Sequence, residues 1–188
     1  LDGERVPGTV GFALPDVAVR IADDKGNGLP AGERGVIEIK GPNVFKGYWR
    51  MPEKTAQEFR ADGFFITGDV GVIAPDGRVS IVGRAKDLII SGGFNIYPKE
   101  IEETLDAVAG VTETAVVGVP HPDFGEAVVA VVVRENDAVT EELLMRAAQA
   151  TLARFKHPRR IVFVDDLPRN AMGKVQKNVL RQMYQASF

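Results

Sequence analysis

The rhythm of apolar and polar positions changes near residue 86. Upstream, the β-branched and partly alternating runs Val17-Ala18-Val19-Arg20-Ile21 and Gly35-Val36-Ile37-Glu38-Ile39 predict strands. Between them, Asp23-Asp24-Lys25-Gly26-Asn27-Gly28 supplies turn residues that tolerate positive φ. Pro52 to Phe59 predicts one helix, with proline and Glu53 in its first turn, where a missing N–H costs little and an anion meets the positive end of the helix dipole. Pro75-Asp76-Gly77 predicts a hairpin joining Gly71-Val72-Ile73 to Val79-Ser80-Ile81-Val82. Together these fit a small antiparallel sheet or barrel.

Downstream, helical periodicity alternates with longer apolar runs. Pro98 to Ala109 places Ile101, Leu105 and Val108 on one helical face and stops before Gly110, which can take a left-handed cap. Ala115 to Val119, Ala127 to Val133 and Ile161 to Val164 are apolar enough for strands, the first two for buried ones. Thr140 predicts the cap of a helix whose inner face is Leu144, Ala148, Leu152 and Phe155. A last helix, from about Lys174 to Tyr184, groups Val175, Val179 and Met183. The fold class is therefore α+β, with a small antiparallel β subdomain over residues 1–85 and an α+β domain over residues 86–188.

Composition adds exclusions. The 188 residues are 45% apolar and 26% charged, values that suit a folded chain and exclude collagen-like or wholly disordered ones. The longest apolar run, Ala127 to Val133, is far short of the roughly 18 residues a membrane helix needs, so no membrane span is expected. With no cysteine, disulfides, thiolate metal sites and a cysteine nucleophile are excluded, and a reducing cytoplasm is the default compartment. His121 and His157 lie far apart in sequence, and no metal ligand set is expected. No signal peptide is visible in Leu1-Asp2-Gly3-Glu4-Arg5, and a first residue other than Met suggests a fragment.

The net charge of −3 argues against a general nucleic-acid binder. It is unevenly spread. Residues 1–85 hold 11 basic and 12 acidic side chains, 86–145 hold 3 and 12, and 146–188 hold 9 and 2. A cationic end on an acidic protein fits a localised anionic ligand such as phosphate, or equally a solvated surface or pairing within the chain.

Four segments are too polar or glycine-rich to be explained by packing alone. Thr67-Gly68-Asp69 follows the apolar Phe64-Phe65-Ile66, so it is either a strand-ending turn or a close-approach site whose carboxylate accepts from vicinal hydroxyls. Gly83-Arg84-Ala85-Lys86-Asp87 is either a surface linker or a hinge whose arginine meets phosphate or ribose oxygens. Ser91-Gly92-Gly93-Phe94-Asn95 can be a tight hairpin or a backbone lining for a narrow ligand. In Pro168-Arg169-Asn170-Ala171-Met172-Gly173-Lys174, the lysine is either solvated beside a capping glycine or a point charge for phosphoryl chemistry. It is not a Walker loop, which needs an earlier glycine and a following Ser or Thr.

In this order and spacing, with Gly47-Tyr48-Trp49 before them and Gly118-Val119-Pro120-His121-Pro122-Asp123 between the third and fourth, the segments resemble the C-terminal part of the adenylate-forming enzymes. These include acyl-CoA synthetases, luciferases and the adenylation domains of peptide synthetases. The resemblance covers essentially the whole chain and implies a two-step acid–thiol ligase using ATP, Mg2+ and CoA on a small carboxylic acid. It implies that Asp69 holds the ribose hydroxyls, Arg84 contacts ribose or phosphate, Lys174 bridges carboxylate and phosphate oxygens, and Lys86 is the hinge of a rotating C-terminal domain. Ser91, Gly92 and Gly93 would line the pantetheine tunnel. Lys156, Arg159 and Arg160 are expected to meet the CoA phosphates, with Phe124 or Phe155 offered to adenine, although Phe155 is expected in the core.

The segment Leu167 to Asn178 is most similar to malonyl-CoA and methylmalonyl-CoA synthetases. An exposed Lys174 is also an expected target for a lysine acetyltransferase. Two motifs of the family are absent, a Ser/Thr/Gly-rich phosphate loop and a Tyr-Gly-x-Thr-Glu segment, so a missing N-terminal part of the same enzyme is implied and the chain alone is expected to be inactive. The alternatives are a non-catalytic CoA- or pantetheine-binding module and an amino-acid adenylation domain that loads a carrier protein.

Overall fold

The structure, a computed structural model, describes residues 5–188, so the reading of residues 1–4 as free of a signal peptide lies outside the described residues. The chain divides into two compact units, one ending at Lys86 and the other running from Asp87 to Phe188.

In the first unit, β1 (Ala18–Ala22), β2 (Arg34–Lys40), β3 (Phe65–Ile73) and β4 (Val79–Arg84) form an antiparallel sheet in sequential order, with α1 (Pro52–Glu58) between β2 and β3. Strand alternation puts Ile21, Ile37 and Val79 in a small buried cluster, supported by Val19, Leu29, Ile39, Ile73 and Ile81. Val10, Phe12 and Leu14 stay more than half exposed. On β2 the charged Glu38 has no solvent exposure, because Arg20 Nε and Arg60 Nε each donate to it at 2.8 Å. A buried carboxylate survives only when paired in this way.

The second unit is a five-stranded mixed sheet with helices on it. Strands β5 (Ile89–Ser91), β6 (Phe94–Ile96), β7 (Val111–His121) and β8 (Gly125–Arg134) run in the order β6-β5-β8-β7, and β9 (Arg160–Val164) pairs parallel to β8. Both faces of β7 and β8 are buried, which is why these runs read as continuously apolar rather than alternating. One face carries Val116, Val128, Ala130 and Val132 against Ile101 and Leu105 of α2 (Pro98–Asp106) and Leu144 and Ala148 of α3 (Glu141–Thr151). The other carries Ala115, Val117, Val119, Val129 and Val131 against Leu167 and against Leu180 of α4 (Lys177–Tyr184). The hydroxyl of Thr140 accepts from Leu143 N and caps α3, a contact worth about 1 kcal/mol.

Two expectations about the second unit need correcting. The last helix begins at Lys177, not Lys174, because residues 168–176 close into a hairpin of their own; the phase then buries Leu180 and leaves Met183 61% exposed. Helix α3 ends at Thr151, so Phe155 falls in a short 3-10 turn, 38% exposed, instead of joining the core. Among the described residues no helix is long and apolar enough to cross a membrane.

Candidate functional site

In the first unit the site begins with an irregularity in strand pairing. Val36 pairs with Val70 and Glu38 with Ile66, so Thr67, Gly68 and Asp69 stand opposite the single residue Ile37. The three residues bulge out of β3 without ending it, so neither the strand-ending turn nor an ordinary strand describes them. The Thr67 hydroxyl donates to Ile37 O at 2.7 Å and accepts from Asp69 N at 3.1 Å, and Gly68 supplies the left-handed φ of 72° that the bulge needs. This fixes the Asp69 carboxylate beside Arg84, whose Nη1 donates to Oδ1 at 2.6 Å across the β3–β4 pair. The result is a partly buried acceptor next to a half-exposed cationic fork, a pair of groups that can hold vicinal hydroxyls and an anionic oxygen side by side.

The chain then passes from one unit to the other through a 3-10 turn, Ala85–Asp87, in which Lys86 is exposed. In the second unit Ser91-Gly92-Gly93-Phe94 forms the turn between β5 and β6, with positive φ at both glycines, the pattern of a two-residue hairpin. Gly92 N donates to Phe124 O at 2.9 Å, and a Cβ at Gly92 would lie 3.5 Å from the Phe124 ring. Arg159 stacks its guanidinium 4.0 Å from the centre of that ring, and Phe94 stacks on Phe155 at 4.4 Å. The glycine turn, Phe124 and Arg159 thus come together. Ser91 is buried beside Gly125, and Arg160 is exposed at the start of β9. Arg154, Phe155, His157, Pro158 and Arg159 line an open hollow next to the turn.

The cationic end of the chain has a more ordinary explanation than its count suggested. Four of its nine cations pair with acids of the 86–145 segment: Lys156 with Glu100, Lys177 with Glu102, Arg181 with Asp87 and Arg169 with Glu113. Pairing within the chain therefore accounts for much of the charge asymmetry. Lys156 is one of these, with its side chain 16% exposed and its ammonium 2.6 Å from Glu100, so among the expected CoA contacts it is the one already committed to a protein partner.

Lys174 is exposed and occupies the hairpin at residues 168–176. Gln176 N donates to Pro168 O at 2.7 Å, Asn170 N to Lys174 O at 2.9 Å, and Gly173 N to Asn170 O at 2.9 Å. The Asn170 side chain accepts from Met172 N and from Lys174 N, both at 3.0 Å. The backbone of Lys174 is thus bonded on both sides while its ammonium is presented to solvent. Sequence reasoning named this lysine and the segment that contains Arg169 and Asn170 but gave those two no supporting part and did not point to Glu113; the Asx-turn propensity of Asn170 was the legible signal for the hairpin.

Among the described residues no group of three or more His, Asp or Glu is placed to hold a metal ion.

Comparison with known proteins gives consistent results. The family described as AMP-binding enzyme matches residues 1–49, and the AMP-binding enzyme C-terminal domain matches residues 100–174. A long-chain-fatty-acid–CoA ligase of Salmonella typhimurium is 39% identical over 93% of this chain and 31% of its own length. A CoA ligase of Rhodococcus jostii, acting on a methyl-dioxo-octahydroindenyl propanoate, is 44% identical over 96% of this chain and 33% of its own length. The chain spans about a third of the length of these curated relatives. Among solved structures, ATP-bound MatB from Rhodopseudomonas palustris superposes with a TM-score of 0.92 at 61% identity, covering 98% of this chain and 37% of that one. The amide bond synthetase McbA from Marinactinospora thermotolerans does so at 0.88 and 39%, covering 94% and 36%.

Proposed function

This chain belongs to the AMP-binding enzyme family, and from that premise we propose that it is the C-terminal portion of an ATP-dependent acyl-CoA synthetase. In the first half-reaction a carboxylate oxygen of the acid attacks the α-phosphorus of ATP, forming an acyl-adenylate as the bond to pyrophosphate breaks. In the second, the CoA thiol gives up its proton and attacks the acyl carbon, and AMP leaves with the electron pair of the broken acyl–oxygen bond.

The observation that carries this reading is the placement of Lys174: a solvent-facing ammonium on a braced hairpin of one unit, while the Asp69–Arg84 pair stands on a strand bulge of the other. Asp69 holds the ribose hydroxyls and Arg84 a ribose or phosphate oxygen. Lys174 supplies positive charge where negative charge grows on the phosphoryl and carboxylate oxygens, a contribution of about 10²- to 10³-fold when such a donor is preorganised. Lys86, in the turn where the chain changes units, is the hinge that lets the small domain withdraw Lys174 and present the Gly92–Gly93 turn to pantetheine. Arg159, Arg160, Phe124 and Ser91 border the CoA path, and Lys156 joins them only by leaving Glu100. Magnesium accompanies ATP as part of the substrate, and no step is assigned to it through these residues. Acetylation of Lys174 removes the charge and with it the first half-reaction.

For the acid we propose malonate or a similarly small dicarboxylate. Support comes from the Leu167 to Asn178 segment and from the 61% identity to MatB, against 39% and 44% for the ligases of larger acids. Pyrophosphate release by the complete enzyme across a panel of mono- and dicarboxylic acids tests this. Malonate or methylmalonate should give the highest kcat/KM; a preference for long-chain or aromatic acids overturns the substrate assignment and leaves the ligase reading standing.

A further inference from the structure

We propose that Glu113 is a positioning residue for adenylation, acting through Arg169 to hold the Lys174 hairpin at a fixed angle on the second unit. The inference rests on the role given to Lys174 above.

The hairpin sets its own shape through the bonds at Asn170, but those bonds do not fix its direction relative to the sheet. Its two feet are packed, Leu167 at 2% exposure and Val175 against the same cluster. Its far side is tied to the sheet by Arg169. Arg169 donates from Nη1 to Gly173 O at 2.8 Å, the carbonyl directly before Lys174. From Nη2 it donates to both carboxylate oxygens of Glu113 on β7. A single planar guanidinium therefore ties the residue next to the ammonium to the central sheet through two nitrogens held in a rigid fork, a fixed geometry that the single, freely rotating ammonium of a lysine does not have.

The sheet is built to present Glu113. Val111 pairs with Arg134 and Glu113 with Val133, so β7 carries one extra residue there. Without that bulge, odd-numbered residues of β7 would all face one side. With it, Val111 packs into the α2–α3 core while Glu113 lies on the face of Ala115, Val117 and Val119, the side that carries Leu167 and α4. The Glu113 hydrogen bond, helped by its charge, raises the Arg169 pKa further above its ordinary value, so the strut stays charged throughout the working pH range. Because the hairpin must carry Lys174 to a reacting phosphoryl group, an angular error at its base becomes a displacement at the ammonium, and about 1 Å of misplacement can cost roughly 10²-fold.

The test uses the complete enzyme and measures its half-reactions separately: pyrophosphate release from ATP and acid, and thioester formation from supplied acyl-adenylate. Glu113→Ala should lower kcat for pyrophosphate release by about tenfold or more with KM for ATP and acid little changed. Thioester formation should stay within about twofold of wild type, because the hairpin is withdrawn in that step. Glu113→Gln, which keeps one acceptor oxygen, should recover part of the loss. Unchanged adenylation, or an equal fall in both half-reactions, overturns the proposal. If Glu113→Ala does not fold, Arg169→Lys, which keeps the charge without the fork, is read for the same outcomes. Lys174→Ala in the same assay separates the two levels: if it retains adenylation, the role of the lysine fails; if it abolishes adenylation while the Glu113 and Arg169 variants do not, only the strut fails.

Discussion

At Gly68 the backbone takes φ of 72°, and a Cβ there would lie 3.4 Å from Arg84 Nη2, the arginine that pairs with Asp69. The penalty for an alanine is conformational: the Arg84 contact is an ordinary van der Waals one, but the left-handed backbone costs an L-residue about 1–2 kcal/mol. Gly68→Ala in the complete enzyme should weaken ATP binding about three- to tenfold and lower the thermal midpoint, since the strain is relieved partly by unfolding and partly by reshaping the bulge that carries Asp69. ATP binding by titration calorimetry, beside a melting curve, checks this. Unchanged affinity with a lowered midpoint would detach the Asp69–Arg84 pair from the nucleotide. The sequence made this triplet visible as a glycine between two polar residues after an apolar run. It could not show the bulge, because the extra residues are defined by the register against β2, more than 25 positions away in the chain. Local patterning carries no information on which residue stands opposite Ile37.

The elements themselves were largely legible, and the exceptions share a cause. Strands β7 and β8 and helices α2 and α3 announce themselves through apolar runs, period and cap. The start of α4 did not, because Lys174, Val175 and Gln176 are acceptable helix residues whose backbone groups are claimed by Pro168, Asn170 and the bridge from Arg169 to Val175. Phe155 failed for a related reason: α3 stops one turn early, and an exposed partner ring, Phe94, takes the aromatic that periodicity assigned to the interior. The paired cations of the C-terminal elements bear on ligand binding too. With Lys156, Arg169, Lys177 and Arg181 engaged, Arg154 and Arg159 in the hollow next to the glycine turn and Arg160 at the start of β9 have no carboxylate partner among the described ion pairs. The Arg159 guanidinium rests on the Phe124 ring. Replacing Arg159 and Arg160 by alanine should raise the Kd for CoA about tenfold at low ionic strength and by much less at 0.5 M salt, as screening predicts for exposed charges. A CoA affinity unchanged at low salt would move the phosphate contacts elsewhere.

At the scale of the whole molecule, the two units differ in how much core they own. The second buries apolar residues on both faces of its sheet, while the first has three buried apolar side chains in its cluster among the described residues and leaves Val10, Phe12 and Leu14 more than half exposed. A unit with two packed faces holds its own shape; a single small cluster contributes only about 1.5–3 kcal/mol per buried aliphatic side chain against the entropy of its strands. The residues proposed for the chemistry are divided in the same way, with Asp69 and Arg84 on one unit and Lys174 on the other. The sequence carries no Ser/Thr/Gly-rich phosphate loop, so nothing within this chain is expected to hold the ATP phosphates against the acid. Proximity supplies about 7–11 kcal/mol of a bimolecular barrier, and one ammonium in water does not replace it. The purified 188-residue chain should therefore release no pyrophosphate above an enzyme-free control when given ATP, magnesium and malonate, and form no malonyl-CoA when CoA is added. Circular dichroism and a cooperative melting transition from the second unit must accompany the assay, so that inactivity is read from a folded chain. Acyl-adenylate or thioester above background would mean that the residues within this chain complete a site by themselves, and the division of labour argued from Asp69, Arg84 and Lys174 would be wrong.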